Sequence, residues 1–309
     1  MFYKSVVVPQ RGSPAVMQVI ENELRTPKAG EVCVKVLASS VGRTDVNYRY
    51  GTSPFSPRVP FVPGYEIVGD VVSVGAGVSR VQPGRRVAAL TGVGGYAEMI
   101  YLSENDLVPI SAALAPEDVA MVILNYVTAY QMLQRVAHVK KGEKALIIGA
   151  SGGVGTALIQ LAALSGLTLY GTASPDKHAL LAGYGVTPVD YHEPDLAAHL
   201  RRVAPAGFDV VFDGMGGRYN EMGWDLLKHG GRLVVYAPPN SLTSLLAGLL
   251  KLAWVNLWPN GKSSAFYGIS ALYGRDKKPF MQDLPLLLDL LENGKIKPVI
   301  TARDRKSVV

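Results

Sequence analysis

The feature that most constrains the fold of this chain is a glycine-rich turn that directly follows a short apolar segment. Residues 144–148 form the kind of continuous apolar run that is typical of a strand buried on both faces. The next seven residues, Gly149-Ala-Ser-Gly-Gly-Val-Gly155, open a helical pattern. Glycines at such a turn let backbone N–H groups approach a pyrophosphate at a helix N-terminus. The turn therefore predicts dinucleotide binding by Gly152, Gly153 and Val154, although Ala150 replaces the first glycine of the usual G-x-G-x-x-G pattern.

Strands and helices alternate on both sides of this turn. After a helical stretch at 130–137 and the first strand, we predict helices at 154–164, from about 176, at 196–203 and at 219–228. Strands are predicted at 167–171, 188–190, 208–212, 232–236 and 265–270. This alternation predicts an α/β fold with a doubly wound parallel sheet over residues 119–271.

The preceding residues, 1–118, have a different pattern. Short β-rich segments at 31–36 and 67–74 are separated by turns such as Pro63-Gly64 and Pro83-Gly84, which indicates an irregular β domain. We expect residues 272–309, with a helix at 279–291, to complete it. A length of 309 residues suits two domains.

Composition excludes several classes of protein. Hydrophobic residues make up 48% and charged residues 18% of the chain, which argues against disorder. The single cysteine, Cys33, excludes a disulfide framework and a multi-cysteine zinc site. It favours a reducing, cytoplasmic compartment, and no secretory signal is recognised at the N-terminus. The net charge of +6 is scattered rather than clustered, so we expect no nucleic-acid binding.

The most apolar stretch, residues 242–258, is interrupted by Lys251 and Asn256 and falls short of the ~20 apolar residues that a membrane span needs. It is predicted to be a buried or interfacial helix.

The residues that follow the second predicted strand bear on the choice of cofactor. An NAD enzyme places an acid about 20 residues after the glycine turn, where it binds the ribose 2′-hydroxyl. This chain has Thr172-Ala-Ser-Pro-Asp-Lys177, in which Asp176 is expected to cap the next helix. An uncharged strand end followed by Lys177 favours a 2′-phosphate, and therefore NADPH.

Several motifs together resemble the medium-chain dehydrogenase/reductases, specifically the zinc-free quinone oxidoreductase branch and its VAT-1-like members. They are Pro63-Gly-Tyr-Glu-Ile-Val-Gly69, Gly94-Gly-Tyr-Ala-Glu98, Asn125-Tyr-Val-Thr-Ala-Tyr130, the glycine turn, Gly171-Thr-Ala-Ser174 and Asp213-Gly-Met-Gly-Gly217. The resemblance covers nearly the whole chain. It implies a GroES-like β domain joined to a Rossmann domain.

The resemblance also implies residue roles. Ser174, Lys177 and Tyr191 would hold the 2′-phosphate, and Asn125 and Thr128 would lie beside the nicotinamide. Gly214, Tyr236 and Gly268 would lie near the cofactor. Zinc-dependent relatives carry a cysteine and a histidine where this chain has Gly42 and Tyr65, so no zinc is expected. A tyrosine that many quinone reductases place near the substrate falls at Asn47, beside Tyr48. Asn47, Tyr48 and Tyr65 are the catalytic candidates.

A second departure from the family is at the end of the chain. The family normally adds a helix and a final strand after the segment at 296–300, whereas only residues 301–309 follow here. This end of the β domain is therefore expected to be short, either in the natural protein or only in the sequence given.

Two classes of function remain open. The first is an NADPH-dependent reductase that passes a hydride to a small quinone or α,β-unsaturated carbonyl, with enoyl thioesters as a further acceptor class. The second is an NADPH-binding protein that associates with membranes or partners through residues 242–258. The edge strand predicted at 265–270 further suggests a homodimer.

Overall fold

The computed structural model describes residues 1–237, 241–257 and 259–304. Its chain divides into two compact units, one of residues 1–127 with the described residues from 276 onward, and one of residues 128–275. The sequence predicted both boundaries nearer the N-terminus, between residues 118 and 119 and between residues 271 and 272. The first boundary lies later because one helical stretch crosses it.

In the first unit, a five-stranded sheet packs its alternating valines into a core. Val32, Val34 and Val36 share this core with Ile67, Val71 and Val87, as the period-2 pattern of the segment at 31–36 requires. The sheet order is β6-β3-β4-β5-β7, and β1 and β2 form a separate antiparallel pair. The strands are β1 (Phe2–Val7), β2 (Gln18–Glu23), β3 (Glu31–Ala38), β4 (Glu66–Val74), β5 (Arg86–Leu90), β6 (Met99–Ser103) and β7 (Val108–Pro109).

Helices of this unit begin with α1 (Arg43–Tyr50), which follows β3. The helical stretch at the unit boundary comprises α2 (Pro116–Met121), a π-helical turn (Val122–Tyr126), α3 (Val127–Gln131) and a second π-helical turn (Met132–Val136). Isolated π turns inside helices are frequent at functional sites.

The second unit contains a six-stranded sheet whose strands are all parallel, in the order β10-β9-β8-β11-β12-β13. Its strands are β8 (Lys144–Ile148), β9 (Thr168–Ala173), β10 (Thr187–Asp190), β11 (Phe208–Asp213), β12 (Leu227–Val235) and β13 (Ser263–Phe266). This is the doubly wound Rossmann topology, which confirms the predicted fold class. The sheet forms because segments such as Phe208–Asp213 are buried along their whole length.

Helices connect these strands. They are α4 (Gly153–Leu164), α5 (His178–Gly183, preceded by the 3-10 turn Pro175–Lys177), α6 (Leu196–Val203), α7 (Arg218–Asp225), α8 (Leu242–Asn256) and α9 (Ile269–Arg275). The first unit then closes with α10 (Lys278–Glu292).

Three sequence predictions need correction. The helix predicted to end at residue 228 ends at Asp225, because Leu227 already pairs with Phe208 as the start of β12. The last strand ends at Phe266 rather than residue 270, since Ile269 begins α9. None of the 15 residues of α8 is buried, so the buried alternative for this segment is wrong, and the interfacial alternative stays a prediction. Residue 258, included in the predicted helix, lies outside the described residues.

Among the described helices, none has the length and apolar character that crossing a bilayer requires.

Candidate functional site

The glycine turn between β8 and α4 has a geometry that only glycine permits. Gly149 has φ +83° and donates its N–H to Thr172 Oγ1 at 3.0 Å. A Cβ on Gly155 would lie 2.6 Å from the carbonyl oxygen of Ala150 and even closer to that of Gly149. Gly152 and Gly153, at the start of α4, are both exposed. The turn therefore presents the first amide groups of a 12-residue helix to an incoming anion.

Ala150 departs from the family pattern, and the neighbouring strand accommodates it. The residue is fully buried. Opposite it, in β9, a Cβ on Gly171 would lie only 2.7 Å from the Ala150 methyl group. The absence of a side chain at position 171 thus makes room for the methyl group, and the turn keeps its shape.

At the carboxyl end of β9, the strand tip carries a small polar cluster. Ser174 hydrogen-bonds to Asp176, and Asp176 pairs with Lys177 at 3.1 Å. The expectation that Asp176 caps the next helix is wrong, because Ser174 and Lys177 occupy the N-cap positions there and no side-chain cap bond forms. The hydrogen bond from Ser174 and the nearby ammonium group of Lys177 lower the pKa of Asp176. Lys177 is thus already paired with an acid.

Tyr191 lies beside this tip because β10 is the neighbouring strand. Its backbone N–H donates to the carbonyl of Ala173 at 3.4 Å, and its side chain is 38% exposed. The structure thus brings Ser174, Lys177 and Tyr191 to one corner of the sheet, as the resemblance implied.

A second glycine-rich turn follows β11 at the same edge of the sheet. Asp213 Oδ1 accepts hydrogen bonds from the N–H groups of Met215 and Gly216 at 2.8 and 3.0 Å. Its Oδ2 atom is buried without a partner among the described residues, and burial raises the pKa of this carboxyl group. Position 214 must be glycine, because a Cβ there would lie 2.6 Å from the hydroxyl oxygen of Tyr236. Burial, and then the charge of Asp213, raise the pKa of Tyr236.

The remaining cofactor candidates lie on the boundary helix and after β13. Asn125 is half-buried in the first π-helical turn. Thr128, in α3, is 5% exposed, and its Oγ1 atom has no partner among the described residues. Gly268 follows β13, where a Cβ would come within 3.3 Å of the Phe266 ring.

These features fit a nicotinamide dinucleotide. The turn at 149–155 is a cradle that any added Cβ at Gly155 would fill. Two buried polar atoms, Thr128 Oγ1 and Asp213 Oδ2, lack hydrogen-bond partners within the described chain, and such atoms normally bind a ligand or water. Both glycine-rich turns follow carboxyl ends of parallel strands, where ligands bind in this topology.

In the first unit, the residues that replace zinc ligands surround a buried acid. Gly42 is the N-cap of α1 and donates its N–H to Asp45 Oδ2 at 3.0 Å, while Gly64 N–H donates to Asp45 Oδ1 at 3.0 Å. Burial raises the pKa of Asp45 against the effect of these bonds. Asp45 thus connects the start of α1 to the turn at Gly64.

Glu66 forms a second buried acid beside it. The carboxyl group is completely buried; Oε1 accepts bonds from the N–H and the hydroxyl of Ser40, and Oε2 has no partner among the described residues. Burial raises its pKa to about 8 despite the Ser40 bonds, and Asp45 adds to the rise. The Tyr96 hydroxyl donates to the carbonyl of Ser40 at 3.1 Å. The carboxyl group is therefore protonated over most of the neutral range.

The three catalytic candidates lie around this acid pair. Asn47 is half-buried on α1. Tyr48 and Tyr65 are 8% and 2% exposed, with ring centroids 6.0 Å apart. Gly42 offers no side-chain ligand, and Tyr65 offers a phenol rather than an imidazole. No group of three or more His, Cys, Asp or Glu side chains that could hold a metal ion occurs in the described part of the chain.

Sequence reasoning did not assign Thr172, Asp213 or Arg49 to a site. Asp213 belongs to the recognised motif Asp213-Gly-Met-Gly-Gly217. Its position at the end of a predicted strand, directly before glycines, could have indicated a role in the site. The bond from Gly149 to Thr172 and the burial of Arg49 depend on tertiary contacts that no local pattern reports.

Comparison with known proteins places these features in a family. The family model "Alcohol dehydrogenase GroES-like domain" matches residues 28–112, and the family model "Zinc-binding dehydrogenase" matches residues 153–266. The chain is 36% identical over 234 residues to the rat (Rattus norvegicus) synaptic vesicle membrane protein VAT-1 homolog, covering 74% of this chain but 58% of that protein. It is 30% identical to rat quinone oxidoreductase, covering 96% of this chain and 88% of that protein.

Two solved structures resemble it over similar spans. Human VAT-1 homolog-like protein superimposes with a TM-score of 0.82 at 25% identity, covering 98% of this chain and 90% of that one. JamJ enoyl reductase in its apo form superimposes with a TM-score of 0.87 at 25% identity, covering 97% of this chain and 91% of that one. With its GroES-like unit and Rossmann sheet, the chain belongs to the medium-chain dehydrogenase/reductase superfamily of oxidoreductases, in the branch of VAT-1-like proteins and quinone oxidoreductases.

Proposed function

We propose that this protein is a zinc-independent, NADPH-dependent reductase that passes a hydride to a quinone or an α,β-unsaturated carbonyl compound. The observation that carries the proposal is the combination of an intact dinucleotide cradle with Gly42 and Tyr65 at the positions of the zinc ligands. Without a metal to polarise an alkoxide, the suitable acceptors are those that are already electrophilic.

Bound NADPH supplies the hydride, and the protein holds and orients the cofactor and the acceptor. The amide groups at the start of α4 bind the pyrophosphate. Ser174, Lys177 and Tyr191 bind the 2′-phosphate, for which Lys177 has to exchange its present partner, Asp176. Asn125 and the hydroxyl group of Thr128, which lacks another partner, bind and orient the nicotinamide.

The proton that completes enone reduction comes from water or a tyrosine. Asn47, Tyr48 and Tyr65 are the side chains that we assign to the acceptor. Glu66 is sealed from solvent and bound to Ser40, so it does not donate directly. A quinone accepts hydride and leaves as its anion, so quinones need no such donor.

Turnover with NADPH tests the proposal directly. A panel of quinones, enones, enoyl thioesters and simple alcohols, the last with NADP⁺, should show activity with the first two classes and none with alcohols. Enoyl thioesters are included because JamJ enoyl reductase shares the fold. Good alcohol turnover, or one zinc per chain by elemental analysis, would contradict it.

We also propose a homodimer formed through β13. This strand is the edge of the parallel sheet, where a second copy can extend the sheet. The Asn256 side chain now binds the backbone N–H and carbonyl of Ser264, so pairing through β13 requires Asn256 to give up these two bonds. Light scattering at micromolar concentration should give twice the mass of the chain. A monomer at that concentration would contradict the proposal.

A second candidate function, association with a lipid surface, is favoured by α8. Leu242, Leu246, Leu250 and Trp254 recur every four residues and are 58–71% exposed, so they form one apolar stripe. Several relatives are named synaptic vesicle membrane proteins. Sedimentation with phosphatidylcholine–phosphatidylserine vesicles tests this function. A cytoplasmic protein that does not bind lipid stays in the supernatant when the vesicles are pelleted. Co-sedimentation that is lost in Leu246→Glu/Leu250→Glu but kept in Ser244→Glu would support lipid binding.

A further inference from the structure

Arg49, near the end of α1, is a buried cation that pairs with no acid of the described residues. The residue is 8% exposed, and its Nε atom is buried with no hydrogen-bond partner in the part of the chain that the structure describes. Among the described residues, no carboxylate lies within ion-pair distance of its guanidinium group. Within the described chain, the guanidinium group lies over the Tyr50 ring, with 4.8 Å from the guanidinium carbon to the ring centroid.

The acids that could neutralise Arg49 are engaged elsewhere. Asp45 lies one helical turn earlier, at the spacing where an ion pair could form. Its two oxygens instead accept the N–H groups of Gly42 and Gly64. Glu66 is bound to Ser40, and burial keeps its carboxyl group protonated near neutrality. The charge of Arg49 is nevertheless close enough to act on the Tyr96 hydroxyl group.

The neighbouring basic residues do not relieve this imbalance. Arg11 donates to the backbone carbonyls of Tyr48 and Pro57, and Arg58 is exposed. A buried charge without a partner is strongly unfavourable, and a cation–π contact offsets only part of the cost. A guanidinium group left in this state is suited to pair with a carboxylate or phosphate oxygen that arrives with a ligand.

We propose that Arg49 binds an anionic oxygen, from a carboxylate or a phosphate, of the hydride acceptor, so that the preferred acceptor is an anionic enone or enoyl compound. The inference rests on the proposed reductase function, since Arg49 directly follows the acceptor candidate Tyr48 on α1 and its charge acts on Tyr96. Arg49 is a specificity-determining residue in this view and takes no part in hydride or proton transfer.

Matched acceptor pairs test the proposal and distinguish the two sources of the anion. 4-Oxo-2-pentenoate and its methyl ester differ by a carboxylate, and crotonyl-CoA and crotonyl-pantetheine differ by phosphates. The wild type should favour the anionic member of at least one pair by ~10-fold or more in kcat/KM. Arg49→Gln should abolish that preference mainly through KM, leaving the neutral member unchanged. Arg49→Lys should retain part of it.

Arg58→Gln is the matched control, because it also removes one positive charge, but from an exposed position eight residues after the end of α1. It should keep the wild-type preference. If Arg58→Gln and Arg49→Gln lose the preference equally, or if the wild type favours the neutral members, the proposal is wrong. NADPH titration of each variant verifies that the protein is folded.

A measurement without turnover separates this inference from the reductase function. Acetate and inorganic phosphate are titrated into the protein saturated with NADP⁺, so that the cofactor site is occupied. One of them should raise the melting temperature of the wild type and of Arg58→Gln, but not that of Arg49→Gln. That result supports the anion site even if no acceptor is reduced. Equal shifts in all three proteins would overturn it.

Discussion

The two polar regions of this molecule are built in opposite ways. At the carboxyl edge of the parallel sheet, the turn at 149–155 consists of backbone groups that remain exposed at Gly152 and Gly153. In the first unit, the corner around Asp45 and Glu66 consists of side chains that are 5% and 0% exposed. The first region offers backbone N–H groups at the surface, whereas in the second two buried carboxyl groups already bind backbone and side-chain groups of their own unit.

This difference determines how each region responds to change. A backbone site depends on the absence of side chains, so an added methyl group disrupts it while a change of charge nearby has a smaller effect. A buried side-chain network depends on charge and hydrogen bonding, so its variants show their effects through pH. The predictions below follow from this contrast, in order of decreasing effect.

Substituting Gly155 should produce the largest effect. In Gly155→Ala the new methyl group meets the carbonyls of Gly149 and Ala150, so the turn has to open and NADPH affinity should fall ~100-fold or more. Fluorescence titration measures this loss. Gly183→Ala is the control, because a Cβ there meets nothing within 4 Å. Wild-type affinity in Gly155→Ala would show that the turn does not hold the cofactor.

Removing the charge of Lys177 should produce the next largest effect. Lys177→Gln should weaken NADPH binding ~10-fold and leave NADH binding unchanged, because only NADPH carries the 2′-phosphate. Asp176→Asn releases Lys177 from its ion pair and should strengthen NADPH binding. Titration of both cofactors checks the two variants. Equal or tighter binding of NADH by the wild type would contradict the assignment.

Tyr65→Phe should separate the two acceptor classes. Quinone turnover should be nearly unchanged, since a quinone leaves as its anion. Enone turnover should fall by up to ~10-fold if this hydroxyl group supplies the proton, the low end of general-acid effects. Steady-state kinetics with one quinone and one enone gives the ratio. Tyr48→Phe is the comparison variant, and loss of quinone turnover in Tyr65→Phe would refute the mechanism.

Glu66→Gln should have the smallest effect, and only at high pH. The folded-state pKa of Glu66, about 8, lies above the unfolded value of about 4.5. The folded protein therefore binds more protons than the unfolded chain between these values, and this group's contribution to stability falls as pH rises from 4.5 to 8. In Glu66→Gln the side chain cannot ionise, so this pH-dependent loss of stability disappears.

Thermal unfolding tests this expectation. Glu66→Gln should melt ~2 °C or more above the wild type at pH 8.5 and close to it at pH 4.5. Ser40→Ala removes a donor to the same carboxyl group and should lower stability instead. A difference between Glu66→Gln and wild type that does not depend on pH would show that Glu66 does not titrate in this range.

Local patterns in the sequence were sufficient to place most strands and helices of the Rossmann unit. Strand β11 and helices α4 and α6 lie where apolar runs and helical periodicity predicted them. The glycine turn was recognised because its spacing reports a backbone geometry directly. The errors occurred where a strand-pairing partner decides the secondary structure of a residue. Leu227, for example, begins β12 because it pairs with Phe208.

The sequence by itself determined the fold class and the dinucleotide turn, because both follow from the spacing of apolar residues and glycines along the chain. Tertiary structure alone decided the state of the charged side chains. It paired Lys177 with Asp176, fixed Asp45 between two backbone amides, and left Arg49 buried without an acid. The physical reason is that the charge state and partners of a side chain depend on the dielectric and the neighbours that surround it. These neighbours come from distant parts of the chain and are assembled only on folding.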